Sequence, residues 1–405
     1  MNEPVPNVTP ELLQQHPLLI IGILLLTGVF LFFIAGSLSA WTWAAIRWFG
    51  AGKPLLSVAD WTPRKWGLVE IIAAFCMAIV MPLATLLLSR PIWTLSDEQL
   101  QGPPGMALSS GSYLLIVAAL VVWICLRYRL GPSHIGFTSE QLPKALLIGL
   151  VAGLMMIPLV YLGNVLTMLT SVKYEHPLID SVTNDGTATN YLLAVFAAAI
   201  CAPIAEEFLF RGLIQGWLQS IPFKSLPDNL IGYIPTSLGN VDSGDAGTEM
   251  HTEGSVAGDR GPFASEYSEP PEQGKASAEQ LNAAIDDNPF AFSERIEHTE
   301  EMPDTYAQQA LPPIWPSFVT GILFGLAHWG YGLSFIPLSL LGIGLGIVYR
   351  ATHSIWPCIL IHFMLNGTSM LALGVTCYLR NVAPSETPES DAASVAANAL
   401  LKLLG

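Results

Sequence analysis

The chain has 405 residues, 52% of them hydrophobic and only 12% charged, with a mean hydropathy of +0.49 and a formal net charge of −15. A soluble domain carries about a quarter charged residues, so this composition excludes an ordinary soluble protein and points to lipid contact. Membrane lipid is an expected partner, and nucleic acid is not.

In chain order, the apolar residues gather into eight runs: Leu18–Trp41, Gly67–Leu88, Tyr113–Leu126, Ala145–Leu169, Tyr191–Leu218, Pro316–Trp329, Leu333–Tyr349 and Ile355–Leu373. A bilayer crossing takes about 20 apolar residues. The predicted fold is therefore all-α: a polytopic integral membrane protein with about eight transmembrane helices, the third and sixth short. No Lys or Arg precedes the first run, so it reads as a retained helix rather than a cleavable leader. Residues 1–170 supply about four helices, residues 186–220 and 312–373 form a second membrane region, and 374–405 form a tail.

Cytoplasmic loops collect Lys and Arg. Arg47, Lys53, Arg64 and Lys65 follow the first run, Arg127, Arg129 and Lys144 the third, and Arg350 the seventh. The alternate loops hold only Arg90, Lys173 and Arg380. Both termini are thus expected outside, in a plasma membrane expected to be bacterial. The polar stretch Tyr174–Asn190 reads as an outer loop. Residues 222–313 form an acidic insertion, with 17 Asp or Glu against three basic residues between Asp228 and Asp304. Low hydropathy with high charge predicts disorder there. The five cysteines form no C-x-x-C pair, so they read as small apolar side chains.

Ionisable residues inside spans are costly and mark functional sites. Glu70 lies near a helix start, where capping or snorkelling explains it. Glu206, Glu207, Arg211, His328 and His362 all fall in the last four runs. Glu207 and Arg211 stand four apart and pair on one helix face. Glu206 is rotated by roughly 100°, which leaves it the less satisfied carboxylate, suited to general base or acid chemistry. Phe324 and His328 share a face, beside Gly321 and Gly325, which permit close helix approach. His362 and Asn366 share a third face and supply two donors at the spacing an oxyanion requires. The competing readings are a helix-packing ion pair, a histidine bonded to a backbone carbonyl, and an interhelical clamp.

Glu206-Glu207 with Arg211, Phe324 with His328, and His362 with Asn366, in this order, resemble the CAAX prenyl endopeptidase and bacteriocin-processing family of intramembrane proteases, also called CPBP or Abi. The glycine-rich Leu341–Arg350 and the turn at Ser354-Ile355-Trp356-Pro357 resemble it too. The likeness spans about 191–368 without the insertion, which is longer than the family's usual connection. The resemblance implies that Glu206 and His328 activate a water for peptide hydrolysis, that His362 and Asn366 hold the oxyanion, and that Glu207 and Arg211 position the helix. It implies a peptide or membrane-protein substrate. No cofactor is certain. A zinc ion held by Glu206, His328 and His362 would match a two-His, one-Glu set, but Asn366 fits an oxyanion donor better than a neighbour of zinc. Two other classes compete: a non-catalytic scaffold or immunity-type protein, and a proton-coupled transporter. No inverted repeat supports the latter. His328 near the far end of its run and Glu206 in the cytoplasmic half predict a tilted or broken sixth helix, with an intramembrane turn at Trp329–Gly332.

Overall fold

A computed structural model describes residues 10–56, 59, 61–89, 96, 100, 102–139, 141–170, 177–184, 187–233, 312–330 and 332–382. The described residues belong to one unit, 1–233 with 290–405; most of the acidic insertion, and the tail beyond 382, lie outside them. The described residues are helical, without strands. In chain order the helices are α1 (Pro10–Gln15), α2 (Pro17–Ala45), α3 (Leu68–Ser89), α4 (Pro103–Tyr128), α5 (Leu142–Met168) and α6 (Pro177–Asn184). A continuous helix, Ala188–Phe223, follows. Its α-helical pieces are α7 (Ala188–Val195), α8 (Ala202–Glu207) and α9 (Gly216–Ser220). Then come α10 (Leu226–Ile231), α11 (Trp315–Leu326), α12 (Phe335–Thr352) and α13 (Trp356–Val382).

Seven of these are long and apolar enough to cross a membrane. The sixth apolar run is the exception, because α11 has 12 residues, ~18 Å at ~1.5 Å per residue. The third run is longer than its apolar stretch, since α4 begins at Pro103 with Gly102 at its N-cap. Proline suits the first helical turn, where its missing N–H has no partner to lose; α2 and α11 begin the same way. The polar stretch before the long helix is not wholly loop. Pro177–Asn184 is helical, and it buries Leu178 and Val182 against Ala194, Met370 and Leu373.

The loops that basic residues assign to the cytoplasm meet at one end of the bundle. Arg64 N donates to Ser220 Oγ at 2.6 Å and Arg64 Nη1 to the His134 carbonyl at 2.6 Å. Ala59 N reaches Ala351 O, Ile355 N reaches Gly136 O, and Tyr233 N reaches Lys65 O. Glu70 is fully buried here rather than snorkelling. It caps α3 by accepting from Gly67 N, and takes bonds from Tyr128 Oη at 2.7 Å and Arg127 Nε at 3.1 Å. Tyr128 Oη also lies 3.1 Å from Ile231 O. The described residues run through α10 to Tyr233, about ten residues past Pro222, and resume at Pro312, whose carbonyl accepts from Arg350 Nε at 2.7 Å.

α11 and α12 form a hairpin whose backbones touch. A Cβ on Gly342 would lie 2.7 Å from Gly321 O, and one on Gly346 would lie 2.9 Å from Ser317 Cα. A Cβ on Gly321 would collide with the Ile343 backbone. Small residues are the ordinary means of close approach where lipid supplies no hydrophobic drive. Gly321→Leu should therefore lower stability by about 3 kcal/mol or more, read as thermal unfolding in detergent. Gly330→Ala, where an added Cβ meets nothing within 4 Å, should leave it unchanged.

Candidate active site

The long helix is not uniformly α-helical. Phe196–Cys201 and Phe208–Gln215 are π-helical and flank the α segment that carries the two glutamates. Such wide turns cluster at functional sites. The cause of the first lies in Pro203. Ala202 N–H bonds to Ala197 O, five residues back. In that register the next N–H would serve Ala198 O, but residue 203 is proline and has none. Asn366 Nδ2, from α13, donates to Ala198 O instead, at 2.8 Å. A neighbouring helix thus satisfies the carbonyl that proline frees.

The two glutamates differ sharply. Glu207 is fully buried, with Oε2 3.0 Å from Arg211 Nε and Oε1 3.1 Å from His362 Nδ1. Arg211, also fully buried, donates through Nη1 to Thr320 Oγ1 at 3.2 Å and lies 5.5 Å from the Phe324 ring centroid. Gln215 continues the line one turn on, donating to Ser317 Oγ at 3.1 Å and Gly346 O at 2.7 Å. Glu206 is only partly buried, yet its Oε2 is enclosed and has no hydrogen-bond partner.

The antiparallel ladder Gln215–Ser317, Arg211–Thr320, Phe210–Phe324 fixes the depth of α11. It climbs beside the long helix from the loop end and stops at the level of the glutamates. His328 follows within the turn. The chain turns at 327–330 and 332–334. His328 Nδ1 lies 2.9 Å from Phe324 O. That contact needs a proton on Nδ1, so the neutral ring presents Nε2 as an acceptor. The Phe324 ring stands between both histidines, 5.3 Å from His328 and 5.5 Å from His362, in contact with Phe210 and fully buried.

The structure therefore joins Glu207, Arg211 and His362 directly, and sets the Phe324 ring against both His328 and His362. Asn366 has a partner across the helices. The Nδ2 hydrogen bond resolved for it serves a carbonyl of the long helix, the interhelical clamp named above as the competing reading. Thr320, Gln215 and Ser317 were missed by sequence reasoning. Their signal is the continued four-residue spacing 207–211–215 and 320–324–328.

A zinc ion would need Glu206, His328 and His362 to converge. Both histidines give Nδ1 to an oxygen, the outer arrangement common around metal-bound imidazoles. Among the described residues, however, no three His, Cys, Asp or Glu side chains gather closely enough to hold an ion. The donors fit in kind and not in spacing, so no step below runs through a metal.

A family model described as type II CAAX prenyl endopeptidase, Rce1-like, matches residues 188–238 and 302–368. These stretches hold the long helix, α11, α12 and the first half of α13, and with them all six candidate residues. No curated protein and no solved structure matches the chain.

If Asn366 answers for Pro203, the two are energetically coupled. Asn366→Ala should cost about 1 kcal/mol in the native background, in the range of interhelical hydrogen bonds in membranes. It should cost clearly less beside Pro203→Ala, which restores the missing N–H. A double-mutant cycle on thermal unfolding reads this coupling; strict additivity would refute it.

Proposed function

We propose that this chain, an Rce1-like member of the CAAX prenyl endopeptidase and bacteriocin-processing proteases over its membrane core, is an intramembrane endopeptidase in which Glu206 activates the attacking water. The supporting observation is the contrast within the glutamate pair. Both oxygens of Glu207 are occupied by Arg211 and His362, whereas Glu206 keeps an enclosed oxygen without a partner. A carboxylate in that state accepts a proton from a water that no other acidic group nearby can serve.

The neighbours divide the remaining work. His328, with Nδ1 committed to the Phe324 carbonyl, offers Nε2 as a second acceptor to orient the water. As water attacks the scissile carbonyl, Glu206 takes its proton and negative charge develops on the carbonyl oxygen. His362, held through Nδ1 by Glu207, turns its other ring nitrogen to the site. In its protonated form this nitrogen donates to the oxyanion. Glu206 then passes its proton to the leaving amine, which completes hydrolysis. Asn366 has a second amide hydrogen beyond the one spent on Ala198, and this is the donor available for the oxyanion. Glu207 and Arg211 position His362 and the long helix without touching the reacting atoms. The substrate class is a membrane-associated peptide or protein, with prenylated, CAAX-like C-termini among the candidates.

The test is cleavage of a membrane-anchored peptide by the purified protein in detergent. Glu206→Gln should lower the rate about 10²–10⁴-fold, the usual contribution of a general base, without lowering thermal stability. Glu207→Gln should fail differently, losing stability as well, by about 3–5 kcal/mol, because Arg211 is left as a buried charge without its partner. Full activity in Glu206→Gln would overturn the proposed mechanism.

A further inference from the structure

The third membrane span brings a further polar side chain toward the glutamates. α4 packs against the long helix along Phe196–Cys201 and Ala202–Glu207. Its two faces are separated at helical spacing: Ile116, Val117, Leu120 and Ile124 are buried, whereas Leu115, Val122 and Leu126 are exposed. The four buried positions lie three, four, seven and eleven residues beyond Tyr113, and such intervals share one helix face. Tyr113 therefore continues the inward stripe. It packs against the same apolar core, but it is only half-buried.

The hydroxyl is out of place for a merely structural tyrosine. Tyr113 lies ten residues into α4, ~15 Å along the helix at ~1.5 Å per residue. It is therefore not one of the tyrosines that mark helix ends at a membrane surface. A tyrosine hydroxyl inside a protein ordinarily finds a hydrogen-bond partner. Among the described residues this one has none, and it is not enclosed. It nevertheless stands within range of the Glu206 charge, which acts on Tyr113 of α4 and on His362 of α13. Two donors from different helices thus lie near one carboxylate that neither of them bonds. An interval of that kind is what hydrolysis needs. The base meets the water, the water oxygen meets the carbonyl carbon, and the carbonyl oxygen lies one bond further on.

We propose that Tyr113 is a catalytic residue whose hydroxyl, together with His362, donates a hydrogen bond to the scissile carbonyl oxygen as negative charge develops there. The inference rests on the assignment of Glu206 as the base. As the water oxygen bonds to the carbonyl carbon, a water proton passes to Glu206 and the carbonyl π pair moves onto oxygen. Tyr113 shares its proton with that oxygen and keeps it. When the C–N bond breaks, the carbonyl re-forms and Glu206 gives its proton to the leaving amine. A donor aimed where charge develops lowers the barrier rather than tightening ground-state binding. A phenol does so without placing another charge inside a membrane span, which is costly. The site gains from a donor on α4, because Asn366 already gives one amide hydrogen to Ala198 O.

Tyr113→Phe removes the hydroxyl and keeps the ring. In the purified full-length protein in detergent, kcat for a farnesylated peptide with a CAAX-type C-terminus should fall about 10²-fold. KM should stay within about twofold, the mark of an interaction made only in the transition state. Tm should not fall, because the hydroxyl has no partner to lose. A phosphinate analogue of the same peptide sets oxygens where the oxyanion forms, and its binding is read from the rise in Tm, without turnover. Tyr113→Phe should bind it about tenfold or more weakly. Full kcat with unchanged phosphinate affinity overturns the proposal. So does a lower Tm and a higher KM at unchanged kcat, which would make Tyr113 a packing residue. Glu206→Gln is measured in parallel. Full activity there removes the base assignment, and phosphinate affinity then decides on Tyr113 alone: a tenfold loss supports the donor and no loss overturns it. A wild-type protein that neither cleaves the peptide nor binds the phosphinate overturns both.

Discussion

The membrane core is organised around one buried carboxylate shared by an arginine and a histidine. Glu207 bridges Arg211 on its own helix and His362 on α13, with both glutamate and arginine fully buried. None of these groups could remain there alone, since removing one partner of a buried pair leaves an uncompensated charge. The bridge therefore ties the long helix to α13, and Arg211 extends the tie to α11 through Thr320. Three helices meet because one charge has to be answered from three sides.

That constraint has a consequence for the neighbouring residue. A helix cannot aim consecutive side chains in one direction, so once Glu207 faces the interior pair, Glu206 is turned about 100° away. It keeps an enclosed oxygen that no protein donor meets. The π-helical turns on either side set this rotation within a single continuous helix. Pro203 and Asn366 maintain the first of them. The chemistry proposed for Glu206 thus rests on the structural duty of Glu207.

Much of this was legible in the sequence, because helical spacing is a local rule. The pairing of Glu207 with Arg211, the shared face of Phe324 and His328, and the isolation of Glu206 all follow from intervals of one and four residues. The spans were legible from apolar run length, except that α11 stops at 12 residues. What spacing could not show is contact across helices. His362 is 155 residues from Glu207, and nothing local says that its Nδ1 meets a glutamate rather than an oxyanion. Nor could spacing show that Asn366 serves a carbonyl, since that needs the register slip before Pro203.

The central claim is that Glu206 acts on a water rather than attacking the peptide itself. Single-turnover cleavage in water enriched in oxygen-18 tests it most directly. One solvent oxygen should enter the new product carboxylate in the first turnover, and the Glu206 side chain should carry no label afterwards. Label in Glu206, with an unlabelled first product, would mean that its oxygen had bonded to the substrate, and would contradict the account.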